Sequence, residues 1–271
     1  MFAKLLKHEW RDSSRVLTIL SLAALGAGAV AALLLRTLTD NTNRLLQEAD
    51  TGWIVGVLGM LMMFAIFGLM AYALGARILL LYRFYKSKFT DEGYLAFTLP
   101  VNSRQIFLAT FLNQLAWGII SGFVVALAIL MMVLIAASGE GISLGSILEE
   151  AKTTYSMAGV SGGYVALSVL TGLVGVVTGY VTSLTCVVIG AVLARKHKIL
   201  AAFGAYYALS IVTGILSTVL VSLVTLNATS IQEAESFMMA SQVVQLVLHL
   251  ALAVGGFFLS TYLMEKKLNL P

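Results

Sequence analysis

Charged residues divide this chain into long apolar blocks. Stretches of 20 or more residues without Asp, Glu, Lys or Arg cover 16–35, 53–76, 105–139, 153–194, 199–232 and 236–264. A helix needs about 20 apolar residues to cross the hydrocarbon core of a bilayer. Backbone in lipid must also satisfy its hydrogen bonds within its own segment, which favours helices for such runs. The pattern predicts an all-α integral membrane protein with six transmembrane helices, at about 16–36, 53–81, 105–137, 164–194, 199–226 and 238–263. The 153–194 block is longer than one crossing requires. Its early part, Tyr155-Ser-Met-Ala-Gly-Val-Ser-Gly-Gly163, reads as a Gly/Ser loop, so the fourth span is expected to begin near Tyr164.

Composition agrees with that pattern. Of 271 residues, 59% are hydrophobic and 11% charged, against about 25% charged in an average soluble domain. A soluble fold of this size would lack the polar side chains to cover its surface. The whole chain reads as one transmembrane domain, 1–271. The one cysteine, Cys186, excludes an intrachain disulfide or a cysteine-rich metal site and reads as a small packing residue. The first apolar run follows Lys4, Lys7, Arg11 and Arg15, as in a signal peptide. It is longer than a signal core of about 7–15 residues, and reads as a retained span.

The placement of charge predicts orientation, because basic residues concentrate on the cytoplasmic side. With the N-terminus inside, the inner segments hold Lys4, Lys7, Arg11, Arg15, Arg77, Arg83, Lys86, Lys88, Arg104, Arg195, Lys196, Lys198, Lys266 and Lys267, which is 14 of the 17 Lys and Arg. Arg36, Arg44 and Lys152 fall outside, together with Asp40, Glu48, Asp50, Glu140, Glu149, Glu150, Glu233 and Glu235. Both termini are therefore expected in the cytoplasm. The formal charge of +4 is then a topology signal with attraction to anionic lipid, not a sign of a nucleic-acid partner.

Two segments outside the spans carry pattern of their own. In 2–15, Phe2, Leu5, Leu6 and Trp10 recur near helical spacing while Lys4, Lys7, His8, Arg11 and Arg15 take the other positions. This predicts an N-terminal amphipathic helix in the inner interface with Trp10 at headgroup depth; the alternative is an ordinary basic flank of the first span. The connection 82–104 is the longest inner loop. Thr90 is a candidate N-cap there, with Asp91 and Glu92 in the first turn, Pro100 as the stop and Ser103 as a cap for the next span. The short helix so predicted presents Tyr94, Leu95, Phe97 and Leu99, either to a partner or back into the lipid interface. No G-x-x-x-x-G-K-[ST] occurs, so ATP is not expected to bind by a P-loop on this chain.

Residues 83–101, Arg-Phe-Tyr-Lys-Ser-Lys-Phe-Thr-Asp-Glu-Gly-Tyr-Leu-Ala-Phe-Thr-Leu-Pro-Val, resemble a stretch common in ABC-2 type permease subunits of Firmicutes. The opening Lys4-Leu-Leu-Lys-His-Glu-Trp10 is similar to the start of such subunits, and span number and length match over nearly the whole chain. The resemblance implies the permease of an ATP-binding cassette exporter in a bacterial cell membrane. It implies no enzymatic activity on this chain and no cofactor of its own: ATP and Mg would be held by partner ATPase subunits. A second permease subunit, identical or different, would complete a dimer. The loop between spans two and three would be the coupling helix, with Asp91, Glu92, Tyr94, Leu95, Phe97 and Leu99 seated on the ATPase. The interfacial helix with Lys4, Lys7, Trp10 and Arg11 would pack beside it. The extracellular hairpin that many members carry before the last span would be reduced here to 227–237.

The spans themselves offer little ionisable chemistry. Charge in lipid is costly and marks function when present. Arg77 can snorkel from its span end, and His249 is the titratable residue nearest mid-span: a relay, a substrate contact, or a neutral histidine bonded to a neighbouring helix. Milder polar groups gather in spans three to six: Asn113, Gln114, Ser121, Thr171, Thr178, Thr182, Ser183, Thr185, Ser210, Thr213, Ser217, Thr218, Ser222, Gln242 and Gln245. Asn113, Gln114, Thr178, Thr182, Gln242, Gln245 and His249 are the pathway candidates. Gly172, Gly175 and Gly179 recur at the spacing that lets helices approach closely, and place the fourth span against protein. Neither a His/Glu metal motif nor paired carboxylates at membrane depth suggests catalysis. An ion-coupled secondary carrier or channel, which normally uses acids at mid-depth, and a non-transporting immunity or assembly protein are the competing readings.

Overall fold

The computed structural model describes residues 2–45, 52–90, 93, 102–139, 144–157, 161–194, 196–225 and 231–266. Among them, the regular structure is helical. The elements are α1 (Phe2–Leu45), α2 (Gly52–Phe89), α3 (Ser103–Gly139), α4 (Leu144–Met157), α5 (Gly162–Leu193), α6 (Lys198–Thr225) and α7 (Ile231–Lys266). All but α4 are long and apolar enough to cross a membrane, over Phe2–Leu38, Gly56–Phe89, Ser103–Ile135, Gly162–Leu193, Lys198–Leu223 and Phe237–Lys266. These six describe a multi-pass membrane protein, as the charge-free blocks predict.

Several element ends differ from the expectation. The segment 2–15 is not set apart from the first span, because α1 runs unbroken from Phe2 to Leu45. The polar residues at the expected boundary do not break the helix. Ser13 donates to the Glu9 carbonyl at 2.9 Å, Ser14 to Arg11 at 3.2 Å and Thr18 to Ser14 at 2.7 Å, so their hydroxyls are satisfied on the helix itself. Residues 82–89, read as loop, are the last turns of α2. Asn102, not Ser103, caps α3: its carbonyl accepts the N–H groups of Gln105 at 2.8 Å and Ile106 at 3.2 Å. The fourth span starts two residues earlier than expected, because Ser161 is its N-cap and accepts the Tyr164 N–H at 3.3 Å. Helix α4 was not anticipated, and residues 231–237, read as connection, open α7.

By internal packing the chain forms two compact units. One comprises His8–Leu80 and Ala116–Ala158. Its core joins α1, α2 and α3 through Leu17, Ala24, Ala31, Leu69, Tyr72, Ala76, Trp117, Val124 and Ala128. Small residues set the spacing: a Cβ added to Gly28 would lie 2.6 Å from that of Ala128, and such close approach is how packed helices gain dispersion contacts in lipid. A polar clip crosses this core. The Ser21 and Tyr72 hydroxyls are 2.7 Å apart, and the Tyr72 hydroxyl donates to Ser121 at 3.3 Å. Trp10 stacks on Trp117 at 4.9 Å between ring centres. An apolar groove of about 410 Å³ lined by Leu35, Ile66, Leu69, Met70, Ala73, Val125, Ile129, Met132 and Val133 offers no polar side chain.

The other unit comprises Met1–Lys7, Leu81–Leu115 and Gly159–Pro271. Helices α5, α6 and α7 pack on one another. Helix α5 is the most enclosed of the six spans, half of its most apolar window being buried, as expected of a span set against protein. Gly175 faces His249, but Gly172 is exposed and has nothing within 4 Å of its Cβ position. Gly190 permits the α5–α6 crossing: a Cβ there would overlap the backbone nitrogen of Ala202 and lie 2.6 Å from its Cα.

Candidate functional site

Two features of the second unit bring sequence-nominated residues together. The first is a polar seam between α5 and α7. The Thr178 hydroxyl donates to its own helix at Val174 O, 2.8 Å, and across to His249 O, 2.9 Å. One heptad on, the Thr185 hydroxyl reaches Val181 O at 2.8 Å and Gly256 O at 3.2 Å. Ser260 lies beside this second rung, with its hydroxyl 2.9 Å from Thr185 Oγ1 and 2.7 Å from Gly256 O. Both rungs join residues 71 apart in sequence, so α5 and α7 run parallel in a constant register.

Glycines make the rungs possible. A Cβ on Gly256 would lie 2.9 Å from Thr185 Oγ1, so the bare backbone is what lets that hydroxyl approach the Gly256 carbonyl. On the other helix, Gly175 faces the imidazole of His249, where a Cβ would come within 3.3 Å of Cε1 and 3.4 Å of Nδ1. His249 Nδ1 is buried and has no hydrogen-bond partner in the protein. The same is true of the hydroxyls of Ser168 and Thr171, which precede Gly175 on α5 by two turns and one. Extending the register by one heptad pairs Thr171 with Gln242. No charged side chain lies in 153–194 or 236–264, so the seam is polar and neutral.

The other pathway candidates divide. Thr178 and His249 meet directly. Thr182, Gln242 and Gln245 are half-buried on the same two helices. Asn113 and Gln114 are buried on α3 at 3% and 1% exposure, and neither amide atom of Gln114 has a protein partner. On α6, Thr213 donates to Ser210 O at 3.2 Å, Thr218 to Gly214 O at 2.9 Å and Ser222 to Val219 O at 2.8 Å. Sequence reasoning passed over Ser168, Gly256 and Ser260. Their signal was the 3–4-residue recurrence of small polar residues along each helix, which identifies no partner until the register is known.

The second feature is the foot of the 82–104 connection. Asp91, Glu92, Tyr94, Leu95, Phe97 and Leu99 lie outside the described residues. The segment that leads into them is firmly held. Phe89, 1% exposed, makes a T-shaped contact with Phe84 at 5.3 Å and stacks on Tyr85 at 6.5 Å between ring centres. They share a core with Ile106, Phe107, Leu184, Val188, Ala191 and Met264, and Leu5 packs against it. The end of α2 is closed by side chains. Lys198 Nζ donates to Phe89 O at 3.5 Å and the Thr90 hydroxyl to Lys86 O at 2.5 Å. Cations are favoured at a helix C-terminus by the dipole. The Thr90 hydroxyl thus turns back to α2, while its carbonyl takes the Gly93 N–H at 2.8 Å. Leu5, Phe89, Ile106, Lys198 and Met264 therefore sit at one end of this unit, as six alternating spans require. Lys4, Lys7, Trp10 and Arg11 are exposed along α1.

No family model matches the chain, and neither a curated protein nor a solved structure does.

Proposed function

We propose that this chain is the transmembrane permease subunit of an ATP-driven exporter in a bacterial cell membrane, with both ends in the cytoplasm. In this reading ATP is hydrolysed on separate ATPase subunits, a second permease completes the dimer, and the chain itself is not an enzyme. The observation that carries the reading is the burial of Phe89 among residues of α2, α3, α5 and α7. A partner pressing on 90–102 would push directly on α5 and α7, the helices that form the polar seam. The resemblance of residues 83–101 to ABC-2 type permeases supports the same assignment, and the basic residues on the inner segments support the orientation. The charge-free blocks at the heart of the spans, with no Asp or Glu at mid-depth, speak against an ion-coupled carrier.

The test is co-purification. The chain, expressed with the ATPase of its own operon, should bring that ATPase down and stimulate its turnover in proteoliposomes. Tyr94→Asp with Phe97→Asp should abolish the association while leaving the permease in the membrane. An intact mutant complex with transport-coupled ATP hydrolysis would refute the coupling role of this loop.

A further inference from the structure

Serine and threonine hydroxyls on these helices generally donate to a carbonyl three or four residues back, as Thr110, Ser183 and Thr261 do. That bond is the default for a hydroxyl in an apolar helix, because an unpaired buried donor is destabilising. Ser168 and Thr171 forgo it. Their hydroxyl oxygens are buried without a partner in the protein, and Thr171 as a whole is 4% exposed.

The rungs below show what Thr171 would otherwise do. Thr178 and Thr185 each bond a carbonyl of α7 in the same register. The next equivalent bond, Thr171 to the Gln242 carbonyl, is not made, yet Thr171 stays buried. At this level the cross-helix bond is missing although Thr171 remains shut off from solvent. His249 Nδ1, lying against Gly175 one turn from Thr171, is a third buried polar atom without a protein partner. Three such atoms on two packed helices form a buried row of unmet hydrogen-bonding groups.

We propose that the buried row Ser168, Thr171 and His249 binds neutral hydroxyl groups, carried either by resident waters or by an amphipathic cargo. Two helical turns, about 10 Å, separate Ser168 from the Gly175 level of the imidazole, so more than one group is needed to span the row. A hydroxyl both donates and accepts, so it complements two protein hydroxyls and either tautomer of the imidazole. An ion is a poor fit, since neither flanking segment supplies an opposite charge. The site does not depend on the exporter reading, and it is testable on this chain alone.

The experiment compares wild type, Thr171→Val and Ser168→Ala in nanodiscs, by thermal unfolding with and without 1,2-hexanediol. Valine keeps the shape and β-branching of threonine, so the change isolates the hydroxyl. Thr178→Val, which loses a seen bond, calibrates the scale. If a resident water fills the site, both variants melt lower by about 2–4 °C, roughly one net hydrogen bond, and the diol shifts all three proteins alike. If a cargo hydroxyl is the guest, the diol raises the wild-type Tm saturably and leaves the variants unmoved. Should both variants melt at or above wild type, with no diol response specific to wild type, the seam holds no such guest and the proposal is overturned.

Discussion

Replacing Phe89 with alanine tests the packing around the loop foot most directly. The side chain is 1% exposed and touches Phe84 and Tyr85 at ring-centre distances of 5.3 and 6.5 Å. Truncating a buried Phe costs about 3–5 kcal/mol in a soluble core, part of it transfer from water and part the cavity left behind. In a membrane the transfer part shrinks, because separated helices already sit in lipid. The low end, about 3 kcal/mol, is therefore the expectation, and at about 2–4 °C per kcal/mol it lowers Tm by roughly 6–12 °C. Phe64→Ala is the matched control: Phe64 is 73% exposed on α2 and faces lipid whether or not the helices associate. The assay is thermal unfolding in nanodiscs, followed by tryptophan fluorescence. Equal, small shifts for both substitutions would show that Phe89 is not held in a packed core, and the mechanical link from loop to spans would fall with it.

Gly190→Ala should lower stability by about 1–3 kcal/mol, the usual range for overpacking, because backbone atoms of Ala202 occupy the space a Cβ would need. Gly214→Ala, with nothing within 4 Å of its Cβ position, should be neutral or slightly stabilising in the same thermal assay. Tyr72→Phe removes the phenol that joins Ser21 and Ser121, and should cost about 1 kcal/mol. Ser121→Ala on the Tyr72→Phe background should then add little, which a double-mutant cycle would measure; additive losses would deny the clip.

The six spans were legible because charge is absent from them, and lipid tolerates nothing else over that length. Their ends were harder to read, since a charged residue is no obstacle to a helix leaving the bilayer. Residues 82–89 carry Arg83, Lys86 and Lys88 and were read as loop, yet they extend α2 until Phe89. The first span was expected to begin at about residue 16, but the serines just before it bond back to their own helix and leave it intact. Thr178 and His249 could be nominated by residue type alone. Their union could not, because it depends on which face of α5 meets which face of α7, and that register is set by the glycines at 175 and 256. Phe89 drew no notice, as one aromatic among several, until the end of α2 was located.

The two features of the second unit are connected by the helices they share. Leu184 and Val188 of α5 and Met264 of α7 enclose the Phe89 foot, while Thr178 and His249 lie farther along the same two helices. Between them stands the Thr185–Gly256–Ser260 rung, with crossing bonds of 3.2 and 2.9 Å over a close glycine contact. Sliding one helix a fraction of a turn there would break the bonds that cross between the helices, although Thr185 and Ser260 would each keep a carbonyl of their own helix. Movement of the pair as one body keeps those crossing bonds. Under the proposed coupling, such a displacement would reach the level of Ser168, Thr171 and His249, where the polar atoms have no bond across the helices. The level that carries the unpaired polar atoms is thus the one at which, under the proposed coupling, a movement begun at Phe89 would be felt as a change in binding.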